Sequence, residues 1–319
     1  MKTINNIILA TTCPLLVAVF LLPATAQTIN HGIIDPTNTY AGKTYAEWAA
    51  AWWQYYMSLP ATNNPFNIYL NQAAPLNTGQ SGPVWFIGGN YANGGTHSFT
   101  NTVPGGVALF LLLTDIEADH AGCPTTNNLS EAQLRANAKS YQDQAYNMTC
   151  TIDGVAVNGL TDGLTTPYRV QSVAFSYTCP AAHNILHDVF NYSCYQNGSG
   201  TPYFIDLAVE DGVFLMVAPL SAGQHIIHVT GSYTFGFTEN WTHYLSVNPV
   251  ALTVDASAQP GSLVLSWPQT PDNYTMQASP TLSPPDWQPA NLNVTTNNGM
   301  LQATALVGPD NQFFRLQLN

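Results

Sequence analysis

Residues 44–60, TYAEWAAAWWQYYMSLP, constrain the fold more than any other stretch of this chain. Thr44 and Glu47 have the spacing of a capping box, in which the hydroxyl caps the third helical position and the carboxylate reaches back to the cap. Pro60 stops the helix, because it cannot donate to the preceding turn. At about 100° per residue, Trp48, Trp52, Tyr55, Tyr56 and Leu59 share one broad face. Ala46, Ala50, Trp53 and Met57 extend the apolar surface, leaving one narrow polar stripe of Glu47, Ala51, Gln54 and Ser58. A helix apolar round most of its circumference is buried. The stretch therefore predicts a helix near 45–58 that plugs a sheet.

The β reading of the remainder follows from its punctuation. Short apolar or alternating runs recur between turn residues: 83–88, 97–102, 107–114, 168–177, 203–209, 213–220, 225–233 and 241–247. The run 107–114, VALFLLLT, has strand length and no polar face, which predicts a central strand covered on both sides. Asp153-Gly154 is a two-residue hairpin signal, and Asp211-Gly212 reads as a turn between two strands. Ser130 and Gln133 open a second helix, expected through about residue 148. The fold class is thus mainly β: a jelly-roll or β-sandwich body at 27–249 with two inserted helices, then a small immunoglobulin-like sandwich at 250–319. Trp267, Trp287 and Phe314 are the expected core of that second unit.

Residues 1–26 read as a secretory signal, with Lys2, an apolar stretch at 7–22 and Ala24-Thr25-Ala26 before Gln27. Cys13 does not read as a lipoprotein cysteine, since Ala10 stands where leucine belongs. No other stretch reaches the length of a membrane span. The expected location is therefore secreted or at the cell surface. Cleavage would remove Lys2 and no acid, so 6 basic side chains become 5 against 18 acidic ones, a formal charge of −13. Nucleic-acid binding needs a basic footprint, which this chain lacks. Cys123, Cys150, Cys179 and Cys194 suggest two disulfides, with Cys123–Cys150 and Cys179–Cys194 favoured because each closes a short loop. They do not form a metal motif, because no Cys-x-x-Cys occurs.

Two resemblances add to this reading. The segments GKTYAEWAAAWWQYYMSLP, SGPVWFIGG and DGVFLMVAPLSAGQHIIHVTG resemble those of a group of exported bacterial proteins. That resemblance supports the fold and carries over no catalytic residue. Within it, Pro219-Leu-Ser-x-Gly-x-His-x-Ile227 is similar to a hairpin pattern of β-sandwich domains. The SWP strand, the tryptophan after Thr281-Leu282 and the terminal Phe313-Phe314-Arg315-Leu316 resemble a small β-module found at the ends of many exported bacterial proteins. This second resemblance implies export rather than a particular chemistry.

Four clusters are candidate sites. Asp115, Glu117 and Asp119 follow the buried run and, on a continuing strand, share one face. There Asp115 and Glu117 could act as an acid/base pair split by proximity, and Asp119 with His120 could hold calcium. It is not an EF-hand loop, because His120 stands in the glycine position. His183 and His187 have the i, i+4 spacing of zinc ligands, with Asp188 as orienter, but HNILH lacks the glutamate of HExxH. Trp48, Trp52 and Tyr55 could stack on sugar rings, although burial also explains them. No G-x-S-x-G elbow is present. The leading expectation is an exported β protein that binds a neutral ligand, with polysaccharide or cell-surface glycan as the partner class. A polysaccharide hydrolase using the 115–119 carboxylates and a structural envelope component are the alternatives.

Overall fold

The computed structural model describes residues 32–66, 74–89, 95–123, 129–160, 162–256, 261–297, 299–308 and 312–319; the expected signal at 1–26 lies outside them. The body is a sandwich of two sheets. The first runs β1 (Ile33–Ile34), β9 (Tyr203–Val217), β4 (Ala108–Asp119), β2 (Val84–Ile87), with β7 (Arg169–Gln171) and β8 (Phe175–Cys179) also paired to β9. The second runs β3 (Gly95–Val103), β11 (Thr238–Val247), β10 (Gly223–Tyr233), β5 (Ala145–Ile152), β6 (Val155–Ala156). Two pairings, β2 with β4 and β3 with β11, are parallel. The sheets approach closely at Gly231, where a Cβ would lie 2.7 Å from the Thr114 methyl.

Helix α1 (Tyr45–Ser58) covers the outer face of the first sheet, and its capping box is formed by Thr44 and Glu47. Its aromatic side chains enter the core: Tyr45 meets Phe110 edge-on, and Trp52 stacks between Tyr56 and Phe66. The Tyr45 hydroxyl donates to the Ile34 carbonyl at 2.5 Å and accepts from the Met216 amide, tying the helix to β1 and β9. Helix α2 (Glu131–Gln142) also has its capping box and buries Leu134 and Ala138 against Ala118 and Val209. It ends at Gln142, short of the expected 148. Ala145 and Met148 instead point inward from a strand, because period-2 burial overrides the helical spacing there.

Two further expectations are corrected. Asp211-Gly212 is no turn: β9 is one continuous strand through it, since Asp211 pairs with Arg169 and Gly212 fits against Asp115. Residues 168–177 are two short strands rather than one. Asp153-Gly154 does form the β5–β6 hairpin, with φ of 52° and 79°. The chain after residue 250 builds its own sheets, β12 (Thr253–Asp255), β13 (Ser262–Pro268), β17 (Met300–Leu306), β16 (Val294–Asn297) and β15 (Gln288–Pro289), β14 (Tyr274–Ser279), β18 (Phe313–Leu318). They enclose Leu265, Trp267, Met276, Ala303 and Ala305, with Phe314 packed against them. Trp287 is not part of this core; it lies under the Arg315 guanidinium at 4.5 Å.

The disulfide pairing also differs from expectation. Cys123 is bonded to Cys194, while Cys150 and Cys179 are buried thiols. Cys150 belongs to β5 in one sheet and Cys179 to β8 in the other, so each fills a core position as a small apolar side chain. Burial pushes both thiols up to about 12. No helix among the described residues is long and apolar enough to cross a membrane.

Candidate functional site

The site begins with a register shift. Leu112 pairs with Phe214 but Thr114 pairs with Val213, so β4 bulges at Leu113. A bulge reverses the parity of the strand. It moves Asp115, Glu117 and Asp119 onto the face already occupied by Phe110 and Leu112, the face covered by α1. Gly212 stands opposite Asp115, where a Cβ would lie 2.7 Å from both the Asp115 Cβ and the Phe214 ring. Glu210 stands directly opposite Glu117. Like charges in directly opposed sheet positions destabilise the ionised state.

Helix α1 supplies the group that holds these acids together. Trp53 Nε1 donates to Asp115 Oδ2 and to Glu210 Oε1, each at 2.8 Å. Asp115 and Glu210 also share a hydrogen bond, as do Glu117 and Asp119. The Tyr177 hydroxyl donates to Asp119 Oδ2, and the Ala121 amide donates to Oδ1 at 2.8 Å. Oε1 of Glu117 and Oε2 of Glu210 are buried without a hydrogen-bond partner. From the second sheet, the Tyr233 hydroxyl faces the Asp115 carbonyl at 3.0 Å and Gln142 Oε1 at 2.8 Å.

Burial dominates the electrostatics. It raises the Asp115 carboxyl to about 7, against the lowering effect of the Trp53 N–H and the Glu210 hydrogen bond. Burial, with the neighbouring Asp119 and Asp115 charges, holds Glu117 well above the usual carboxylate range. Burial and Asp115 do the same to Glu210. Burial raises Asp119 as well, against Tyr177, the Ala121 amide and Glu117, which all stabilise its charge. The chemistry is two carboxyl pairs, each keeping a proton that isolated acids would release.

Three of these four acids, all but Glu210, line a pocket of about 280 Å³. Asp115, Glu117 and Asp119 line one side, Phe190 and Tyr192 another, and Tyr233, Phe235 and Phe237 of the β10–β11 hairpin a third. Phe235 is 51% exposed and stacks on Tyr233, which makes it an aromatic lip. A larger cleft of about 970 Å³ among the C-terminal strands is lined by Asn, Thr, Gln and aliphatic groups and the Phe314 ring, and contains no titratable side chain.

The other sequence candidates lie elsewhere. His120 turns away from Asp119, with Nδ1 2.9 Å from Asp206 and Nε2 2.8 Å from the Leu129 carbonyl, so the two do not converge on a cation. His183 precedes the one-turn helix α3 (Ile185–Asp188) at φ 53°, so the expected helical histidine pair does not form. Both histidines instead face Asp188, His187 at 2.7 Å and His183 at 3.4 Å. No group of three or more His, Cys, Asp or Glu side chains among the described residues is arranged to hold a metal ion. Trp52 is fully buried, Trp48 nearly so, and the Tyr55 hydroxyl donates to the Thr78 carbonyl, so these rings are core rather than an open cleft.

One cluster imitates a catalytic triad. Ser221 Oγ lies 3.3 Å from His225 Nε2, and His225 Nδ1 lies 2.7 Å from Asp153. However, Nε2 is nearer the Ser221 carbonyl, at 3.0 Å, and the adjacent Ala222 amide is taken by Asp272. The group clamps three turns together. The sequence missed Glu210 and Trp53 as members of the acid site; an acidic pair inside the apolar run 203–217 was the available signal.

No protein-family model matches this chain, and no curated protein matches it. Among solved structures, a chain titled BspA_C_WT aligns over 69% of this chain and 81% of its own length at 10% identity, with a TM-score of 0.17. A chain titled BspA_C_mut aligns over 65% and 78% at 10% identity, with a TM-score of 0.16. Superpositions this loose leave the fold and function to rest on the residues described above.

Proposed function

We propose that this is an exported, surface-acting β protein that binds a neutral, hydroxyl-rich ligand, a glycan segment, in the acid–aromatic pocket. The observation that carries the reading is the clustering of buried Asp115 and Glu117 beside the Tyr233 and Phe235 rings, because burial favours the neutral form of each acid. A carboxylic acid held neutral offers a donor and an acceptor without demanding a counter-charge. Such groups match alcohol hydroxyls, while the Phe235 and Tyr233 rings match the C–H faces of a sugar. The expected export of the chain places such a ligand within reach. The test is thermal shift and calorimetry of the intact chain against a panel of neutral oligosaccharides near pH 6. Stabilisation by one of them, weakened about tenfold or more by Phe235→Ala and by Asp115→Ala, which removes the donor and acceptor, supports the reading. No response from the panel, or binding indifferent to both variants, contradicts it.

A second reading is favoured by the placement of Asp115 and Glu117 in one pocket wall, where burial raises the Asp115 carboxyl to about 7. A group that titrates near the operating pH is suited to general base work, and Glu117 beside it retains a proton to give to a leaving group. Polysaccharide hydrolysis would then release new reducing ends, and Asp115→Asn with Glu117→Gln would abolish that release.

A further inference from the structure

The outward face of the five-stranded sheet is a second surface that the pocket does not use. Its strands β3, β5, β10 and β11 carry no lysine or arginine and one carboxylate, Glu239, which is buried; at the border, Asp153 in the β5–β6 turn accepts from the Ile226 amide and lies 2.7 Å from His225. That is a marked composition in a chain whose formal charge is −12. Strand register sets the outward side chains in rows, of which two read Thr100, Tyr244, Ile226 and Ser98, Thr242, His228. Cross-strand hydrogen bonds tie parts of the array together: Thr149 to Thr230 at 2.7 Å and His228 to Thr242 at 2.9 Å. At the centre Tyr244 and Ile226, direct register partners, are each 45% exposed. Beside them a groove of about 600 Å³ is lined by Thr100, Thr102, Tyr244, Ser246 and Gln224 and by the 74–77 segment.

We propose that this face docks a neutral, linear polysaccharide chain. The array presents hydroxyl and amide groups at about 4.8 Å between strands and about 6.7 Å along them, a two-dimensional set of donors and acceptors. Tyr244 supplies a rigid ring with a polar tip, suited to an apolar sugar face whose edges carry hydroxyls. Neutrality selects the occupant. A second copy of the chain would bring its own excess of negative charge, whereas an uncharged polymer meets no repulsion and forces no charge to be desolvated.

The proposal rests on the pocket reading for the class of ligand alone, and the two fail separately. The experiment is depletion of the intact chain from solution by cellulose, chitin, mannan and starch particles. The expected result is retention by at least one, with an affinity constant between about 0.05 and 0.5 M salt, because no charges are engaged. Tyr244→Ala, at a half-exposed position, is expected to weaken retention by about tenfold while leaving the thermal midpoint in place. Thr100→Lys, on the groove, is expected to weaken it as well. Retention by none of the four overturns the proposal. So does retention unchanged in both variants, retention lost in Asp115→Ala but kept in Tyr244→Ala, or a Tyr244-dependent dimer in solution.

Discussion

One indole N–H sets the character of the acid site. Trp53 Nε1 is shared between Asp115 and Glu210, and no other described side chain donates to both. Trp53→Phe removes the donor and shrinks the indole to a phenyl ring, so two buried carboxyls lose a partner and a small cavity opens. The expected cost is about 1–3 kcal/mol, read from urea unfolding, together with a further rise of the Asp115 titration midpoint. Gly212→Ala tests the fit from the opposite strand. A methyl group there meets both the Asp115 Cβ and the Phe214 ring, so it displaces the acid and costs stability through overpacking of about 1–3 kcal/mol. A neutral effect of Gly212→Ala on both stability and Asp115 titration would contradict the packing described here.

At the scale of elements, the capping boxes and the long disulfide loop make separate predictions. Thr44→Ala removes the α1 cap and is expected to cost about 0.5–2 kcal/mol. The Cys123–Cys194 bond joins residues 71 apart in sequence, and the chain-entropy argument gives it about 4 kcal/mol. Reductant should therefore lower the thermal midpoint, while Cys150 and Cys179 react with a thiol reagent after unfolding and not before. How far the elements were legible depends on the range of the forces that define them. Both capping boxes, the Asp153-Gly154 hairpin and the central strand at 107–114 are written in local residue types. The continuous strand through Asp211-Gly212 is not, because its reason is the Arg169 ion pair and the space that Asp115 needs. The bulge at Leu113 is silent in the sequence too, although it decides which face the acids take. The cysteine pairing failed for a similar cause: loop length favoured short closures, and sheet packing separated the thiols.

At the scale of the whole molecule, buried titratable groups predict an unusual pH dependence of stability. A carboxyl whose folded pKa is raised binds its proton more tightly when folded. Its stabilisation is full below the unfolded value and is lost as pH rises through the folded one. Asp115, Glu117 and Glu210 all act in this sense. His243 opposes them: burial lowers it to about 4, so between pH 4 and its ordinary value its contribution grows as pH rises. Above about pH 6.5 that opposition ends. Stability should then fall with pH, by up to about 1.4 kcal/mol per pH unit for each proton retained by the fold, and Glu210→Gln should flatten the slope. The acid cluster therefore couples the net charge of the molecule to the state of one pocket. The most direct test is carboxyl carbon NMR titration of the folded, intact chain with Asp115, Glu117 and Glu210 assigned. The account predicts a midpoint near 7 for Asp115 and protonated glutamates at neutral pH. All three titrating together below about pH 5, as solvated acids do, would contradict it.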